Sequence, residues 1–138
     1  MNIRKLSNDD YEKYIFLIGT KISYDDYIIF LQSLSDFHII IVIELEGNLI
    51  ATGTLIIEKK LTNNICYLGH IENIFVDDKH RNKGYGSIII NYLVKYATDK
   101  GCYRIDLICT PDITSYYKQF GFEETMGMKM LIKQNYKF

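Results

Sequence analysis

Two periods of apolar residues run along this chain, and where one gives way to the other marks its elements. Met1 to Leu6 is a short strand. Ser7 followed by Asp10 is a helix start of the capping-box kind, and Tyr11, Tyr14, Ile15, Leu17 and Ile18 then recur at helical spacing. Ser23 with Asp26 repeats the signal ahead of Tyr27, Ile28, Phe30, Leu31 and Leu34. From His38 the pattern becomes apolar and β-branched. His38 to Leu45, the turn Glu46-Gly47-Asn48, and Leu49 to Ile57 predict a hairpin. Ile65 to Val76 is long enough for a strand with a bend or bulge. Asp77 to Gly86 is polar; Ile88 to Ala97 is helical, with Ile89, Tyr92, Leu93 and Tyr96 in phase, and Gly101 stops it. Tyr103 to Cys109 predicts a strand, Ile113 to Phe120 a short helix closed by Gly121, and Met126 to Ile132 a last strand. The order β-α-α-β-β-β-α-β-α-β predicts an α/β fold with a mixed, mostly antiparallel sheet.

With 138 residues, 48% apolar and 24% charged, the chain has the composition of one globular domain spanning 1–138, not of a disordered segment. Its formal net charge of -1 gives no electrostatic case for nucleic acid. The longest apolar run, Ile39 to Ile43, is strand-sized and gives no case for a membrane span. Cys66, Cys102 and Cys109 are odd in number and form no C-x-x-C pair, so no disulfide framework or metal site is expected, and reduced thiols in a cytoplasmic compartment are.

Candidate chemistry concentrates between Ile74 and Gly86. An apolar strand, Ile74-Phe75-Val76, ends in Asp77 to Lys83, and Gly84-Tyr85-Gly86 opens a helix. Two glycines there let consecutive amides approach a ligand, and the helix dipole adds partial positive charge, which suits a pyrophosphate. Arg81 and Lys83 can add direct charge. A dinucleotide fingerprint needs a third glycine where Ile89 stands, and no Gly-Lys-Ser/Thr triplet is present.

Arg81-x-x-Gly84-x-Gly86 after Phe75-Val76-Asp77, with Tyr116-Tyr117-Lys118-Gln119-Phe120-Gly121-Phe122 downstream, resembles the GNAT superfamily of N-acetyltransferases. Ala51 to Lys60, Gly69 to Ile74 and Lys100 to Ile105 narrow the resemblance to the eukaryotic-type glucosamine 6-phosphate N-acetyltransferase family, over roughly residues 50 to 133. The resemblance implies a GNAT fold with about four helices, acetyl-CoA as cosubstrate, no metal, and homodimers with shared sites. It implies that Ile74, Phe75 and Val76 hold the pantetheine arm and acetyl carbonyl, and that Asn82, Lys83, Gly84, Tyr85, Gly86 and Ser87 hold the pyrophosphate. Lys60, Leu61, Thr62 and Asn63 are implied near the sugar phosphate. Glu72, Asn73 and Ile74 are implied at the sugar, and Lys133, with Ile132 the alternative register, at a phosphate in the partner's site. The product implied is the N-acetylglucosamine 6-phosphate that precedes UDP-GlcNAc.

Three positions depart from that family, which has an acid at Asn73, a carboxylate at Ile108 and an Asn at Ile113; Thr20 is out of register with its first-helix threonine. Amine recognition is thereby thinned from three carboxylates to one. In direct acyl transfer, a main-chain N–H exposed by a bulge near Phe75 or Val76 is the expected oxyanion donor. Tyr117 is the expected donor to the departing sulfur, and Glu72, directly or through a water, the expected proton acceptor. His70 and His80 are secondary candidates for the base. Acetylation of another small amine, such as an aminoglycoside, a polyamine or a peptide N-terminus, and CoA binding without turnover, stay open as alternatives.

Overall fold

A computed structural model describes residues 1–132, so Lys133 lies outside the described residues. Two compact units divide at Leu107 and Ile108. The first holds β1 (Asn2–Lys5), α1 (Tyr11–Ile18), α2 (Tyr24–Gln32), β2 (His38–Leu45), β3 (Asn48–Lys60), β4 (Cys66–Val76), α3 (Tyr85–Asp99) and β5 (Cys102–Asp106). The second holds α4 (Thr114–Lys118).

The five strands form one sheet in the order β1-β2-β3-β4-β5. The first three pairings are antiparallel and β4–β5 is parallel, so the sheet is mixed, as its α/β alternation predicts. Successive side chains on a strand point to opposite faces. Ile41 stands opposite Gly53, and Val42 opposite Thr52. On the Val42 face, Leu17 of α1 and Leu49 close a buried cluster, with Tyr14, Ile18 and Phe75 packed against it. The Gly53 face meets α3. Both faces of β2 are therefore covered, which is why Ile39 to Ile43 reads as an unbroken apolar run. Ile89, Ile90, Leu93 and Ala97 of α3 are fully buried, and each of the three larger side chains contributes about 2 kcal/mol of burial.

Several expectations are redrawn. β3 continues three residues past Ile57, because Glu58, Lys59 and Lys60 keep pairing with Leu68, Tyr67 and Cys66. α3 starts at Tyr85 rather than Ile88: the left-handed Gly84 (φ 88°) caps it, so the polar first turn is already helical. β5 ends at Asp106, short of Cys109. The last helix splits into a 3-10 turn, Pro111–Ile113, and α4. No strand forms over 126–132, and no described segment pairs with it. Met126, Met128 and Met130 are 80% or more exposed, so its alternating pattern finds neither a ladder nor a core to bury against.

The start of α1 is pinned electrostatically. Asp10, 4% exposed, accepts two bonds from the Arg4 guanidinium (2.7 and 2.8 Å) and one from the Ser7 amide (2.8 Å). Tyr27 of α2 donates to the Ser7 carbonyl (2.8 Å), which ties both helices to the end of β1. Burial pushes the Asp10 carboxyl up, but the Arg4 and Ser7 hydrogen bonds outweigh it and the net displacement is downward. A depressed carboxyl contributes stability above its unfolded value and loses it as pH falls through the folded one. Arg4→Ala is expected to cost about 2–3 kcal/mol in denaturant melts at pH 7, by leaving a buried carboxylate without its partner. The gap from wild type should narrow near pH 3; a gap that stays constant with pH would contradict this role.

Candidate functional site

β3 and β4 fall out of step at one place. Thr52 pairs with Phe75 and Thr54 with Glu72, so two steps along β3 face three along β4. The surplus residue lies at Asn73 and Ile74, and Asn73 takes up the kink with φ 53°. The bulge that the strand's length predicts falls at Asn73 and Ile74, directly before Phe75 and Val76. Such a bulge turns backbone donors out of the ladder. Glu72 and Asn73 are exposed beside it, while Ile74, Phe75 and Val76 are half-buried.

Gly53 faces the bulge from β3. A Cβ built there would lie 2.5 Å from Ile89 Cγ2, 2.8 Å from Ile74 Cδ1 and 3.2 Å from Leu93 Cδ1. The helix and the bulged strand thus close on the space a side chain would need. Sequence reasoning passed over Gly53, although a lone glycine inside a strand pattern signals close backbone approach.

Beyond Val76, the Asp77 amide still donates to Ile50 (2.8 Å), and a 3-10 turn, Asp78–His80, redirects the chain. His80 Nδ1 lies 2.8 Å from Asp77 Oδ2, and that contact holds the Asp77 carboxyl below its ordinary value. Arg81 folds back: its Nε donates to the Val76 carbonyl (3.2 Å), and its guanidinium pairs with Asp78 (3.0 Å) and lies 5.9 Å from the Phe75 ring centroid. The charge assigned to a phosphate at Arg81 is engaged in bracing the strand end. Asn82 (φ 62°) and Gly84 turn the loop through left-handed conformations, and Asn82, Lys83 and Gly84 are exposed. Gly84 offers α3 no side-chain cap, and a Cβ there would meet nothing within 4 Å. The first-turn amides of a helix have no intrahelical acceptor. The turn that leads into them, Asn82 to Gly84, is exposed, an arrangement compatible with an anion at the helix start.

Along the β3–β4 hairpin, the candidates around Lys60 lie apart from the bulge. Lys60 pairs with Cys66, six residues before Glu72 on β4, so about 20 Å of strand separates the two positions. Leu61, Thr62 and Asn63 form the exposed tip beyond Lys60, where Asn63 has φ 51°. His70 Nε2 lies 3.0 Å from Glu58 Oε1 on the neighbouring strand. In the second unit, Tyr117 is half-buried in an aromatic cluster, its ring 5.3 Å from Tyr116 and 6.0 Å from Phe122. Burial, with smaller contributions from Tyr116 and Cys109, raises its phenol above the ordinary value, so it is protonated at neutral pH. Ile108 lies past the end of β5 and is 82% exposed; Ile113 closes the 3-10 turn before α4.

The sequence profile of the acetyltransferase (GNAT) family matches residues 2–122. The chain belongs to this family. A GNAT relative from Oryza sativa subsp. japonica, named "Probable glucosamine 6-phosphate N-acetyltransferase 2", is 38% identical over 106 residues, 74% of this chain. This chain spans 63% of that protein's length. Glucosamine 6-phosphate N-acetyltransferase of Arabidopsis thaliana is 35% identical over 130 residues, 86% of this chain and 87% of the relative. A crystal structure of the Arabidopsis thaliana enzyme superposes with a TM-score of 0.87 at 31% identity, covering 96% of this chain and 98% of that one. Among the described residues, the mixed sheet and four α-helices are those of the GNAT fold. No helix among the described residues is long and apolar enough to cross a membrane.

Gly84→Ala tests the turn itself. With open space around the new Cβ, its cost is conformational and should be about 1 kcal/mol in denaturant melts. Gly84→Asn, which tolerates the left-handed region, should recover most of it. Equal losses for both would show that crowding, not φ, selects glycine.

Proposed function

We propose that this chain is an acetyl-CoA-dependent N-acetyltransferase of one domain, acting on glucosamine 6-phosphate to give N-acetylglucosamine 6-phosphate. The observation that carries the reading is the pairing of an exposed, glycine-capped helix start with a bulge ten residues upstream in β4, from Ile74 to Gly84. One family profile running unbroken from residue 2 to 122 supports a single domain, and the two plant relatives support the substrate.

Acetyl-CoA supplies the acetyl group as a thioester. The amides of Asn82 to Ser87 grip its pyrophosphate, with Lys83 adding charge. Ile74, Phe75 and Val76 align the pantetheine arm and carbonyl along the strand, and the Phe75 or Val76 N–H donates to the carbonyl oxygen as charge develops there. Glu72, exposed beside the bulge, takes the proton the amine must lose, directly or through a water. Asn73 carries no charge and hydrogen-bonds the sugar. Tyr117, a phenol protonated at neutral pH, donates to the departing sulfur. Positioning the amine against the carbonyl accounts for much of the rate.

Lys60 to Asn63 lie too far along the hairpin to share an amino-sugar phosphate with Glu72 of the same chain. They reach one in a homodimer with shared sites, where a second copy brings that tip, and Lys133, to the sugar phosphate. The reaction belongs to the cytoplasm, a compartment that suits the thiols of Cys66, Cys102 and Cys109. A second reading has one observation in its favour: with Asn73 and Ile108 in place of acids, a less polar amine than the sugar phosphate is the substrate.

Release of CoA thiol in the presence of glucosamine 6-phosphate, glucosamine and a diamine panel separates these readings. Turnover is expected with glucosamine 6-phosphate alone. Tyr117→Phe should lower kcat by about 10²-fold with little change in affinity for CoA. Turnover confined to the diamines would replace the substrate, and unchanged kcat in Tyr117→Phe would remove Tyr117 from the chemistry.

A further inference from the structure

The bulge and the second turn of α3 both reach the same residue of β3, and that residue has no side chain. Ile74 is the second residue of the bulge, directly before Phe75 and Val76. Ile89 sits five positions after the glycine cap, on the buried side of the second turn of α3. Both side chains converge on Gly53, whose missing Cβ would fall 2.8 Å from Ile74 Cδ1 and 2.5 Å from Ile89 Cγ2. Neither gap is wide enough for carbon against carbon, which rest near 3.5–4.0 Å apart. Gly53 has no positive φ, so backbone conformation does not select glycine here; the space does. Gly69 on β4 also faces α3, but a Cβ there would lie 3.3 Å or more from its neighbours and none of them belongs to the bulge or the first turns of the helix.

We propose that Gly53 is a positioning residue: by admitting Ile74 and Ile89 into one shared space, it fixes the acetyl-carbonyl donor of the bulged strand and the pyrophosphate cradle of α3 in a single relative placement. This rests on the acyl-transfer reading for its consequence, though the contact itself does not. A side chain at residue 53 must move the strand, the helix or both. A carbonyl displaced by about 1 Å from its donor loses on the order of 10²-fold in rate.

The test is Gly53→Ala, the relieved variants Gly53→Ala/Ile74→Val and Gly53→Ala/Ile89→Ala, and the control Gly69→Ala, all in the full chain. Backbone amide resonances and acetyl-transfer kinetics are read together. Gly53→Ala is expected to shift the amides of Asn73 to Val76 and of Gly84 to Ser87 concertedly and to lower kcat by roughly 10²-fold, with at least one relieved variant recovering ten-fold or more. Gly69→Ala should leave both amide groups in place and kcat within about two-fold. If Gly53→Ala does not fold, Ile89→Ala with Gly53 retained opens the same contact and should speed hydrogen exchange at Phe75 and Tyr85 together. Amide shifts confined to one group, exchange that quickens at only one of the two, or no recovery in either relieved variant overturns the proposal. A wild-type chain that transfers no acetyl group would overturn the acyltransferase reading, while the amide shifts would still decide whether Gly53 couples the two segments.

Discussion

A strand carrying one residue more than its partner must put the surplus somewhere, and in this chain it goes to Asn73 and Ile74, against Gly53. Much of the site geometry follows from that mismatch. The bulge breaks the β3–β4 ladder over a short stretch at Asn73 and Ile74. Phe75 and Val76 then rejoin Thr52 and Ala51, so the freed stretch is held firmly at both ends. On the face behind it, α3 comes down close enough that only a glycine fits between. A donor held rigidly and a helix start anchored to the same spot are what an electrostatically preorganised site needs, since neither has to move as charge develops.

The remaining framework keeps this region from relaxing. α3 contributes its fully buried residues, Ile89, Ile90, Leu93 and Ala97, to the sheet face behind the bulge. On the opposite face, Phe75 packs against the cluster of Leu17, Val42 and Leu49. α1 is held by the Arg4–Asp10 pair at its start. Arg81 braces the strand end from the loop side through the Val76 carbonyl and the Phe75 ring. What is left exposed is the turn at Asn82, Lys83 and Gly84.

Much of this was legible in the residues. His38 to Leu45 appears where the pattern puts it, and the turn after it is Glu46-Gly47, with Asn48 already pairing with Leu45 as the first residue of β3. The length of Ile65 to Val76 implied a bulge, and Gly84 marked the turn into α3. The rest depends on long-range facts that local patterns do not carry. Gly53 matters because of Ile74 and Ile89, which lie 21 and 36 positions away in sequence. Lys60 and Glu72 are both implied near one sugar phosphate, but the antiparallel hairpin sets Lys60 against Cys66, six residues from Glu72 along β4. The apolar alternation of Met126 to Ile132 predicts a strand, yet a strand exists only where a neighbour completes its ladder. Arg81 reads as a phosphate ligand in sequence, whereas Asp78 and the Val76 carbonyl are near enough to engage it.

The central claim is that the main chain from Asn73 to Ser87 is one continuous surface for a thioester carrier. Titrating CoA into the full chain, with backbone amides followed residue by residue, tests it most directly. The account predicts saturable binding at micromolar concentrations, with the largest changes at Phe75, Val76, Tyr85 and Gly86, reversed by free pyrophosphate at the helix start but not at the strand. Saturable binding that leaves those four amides unmoved, or no binding at all, would contradict it.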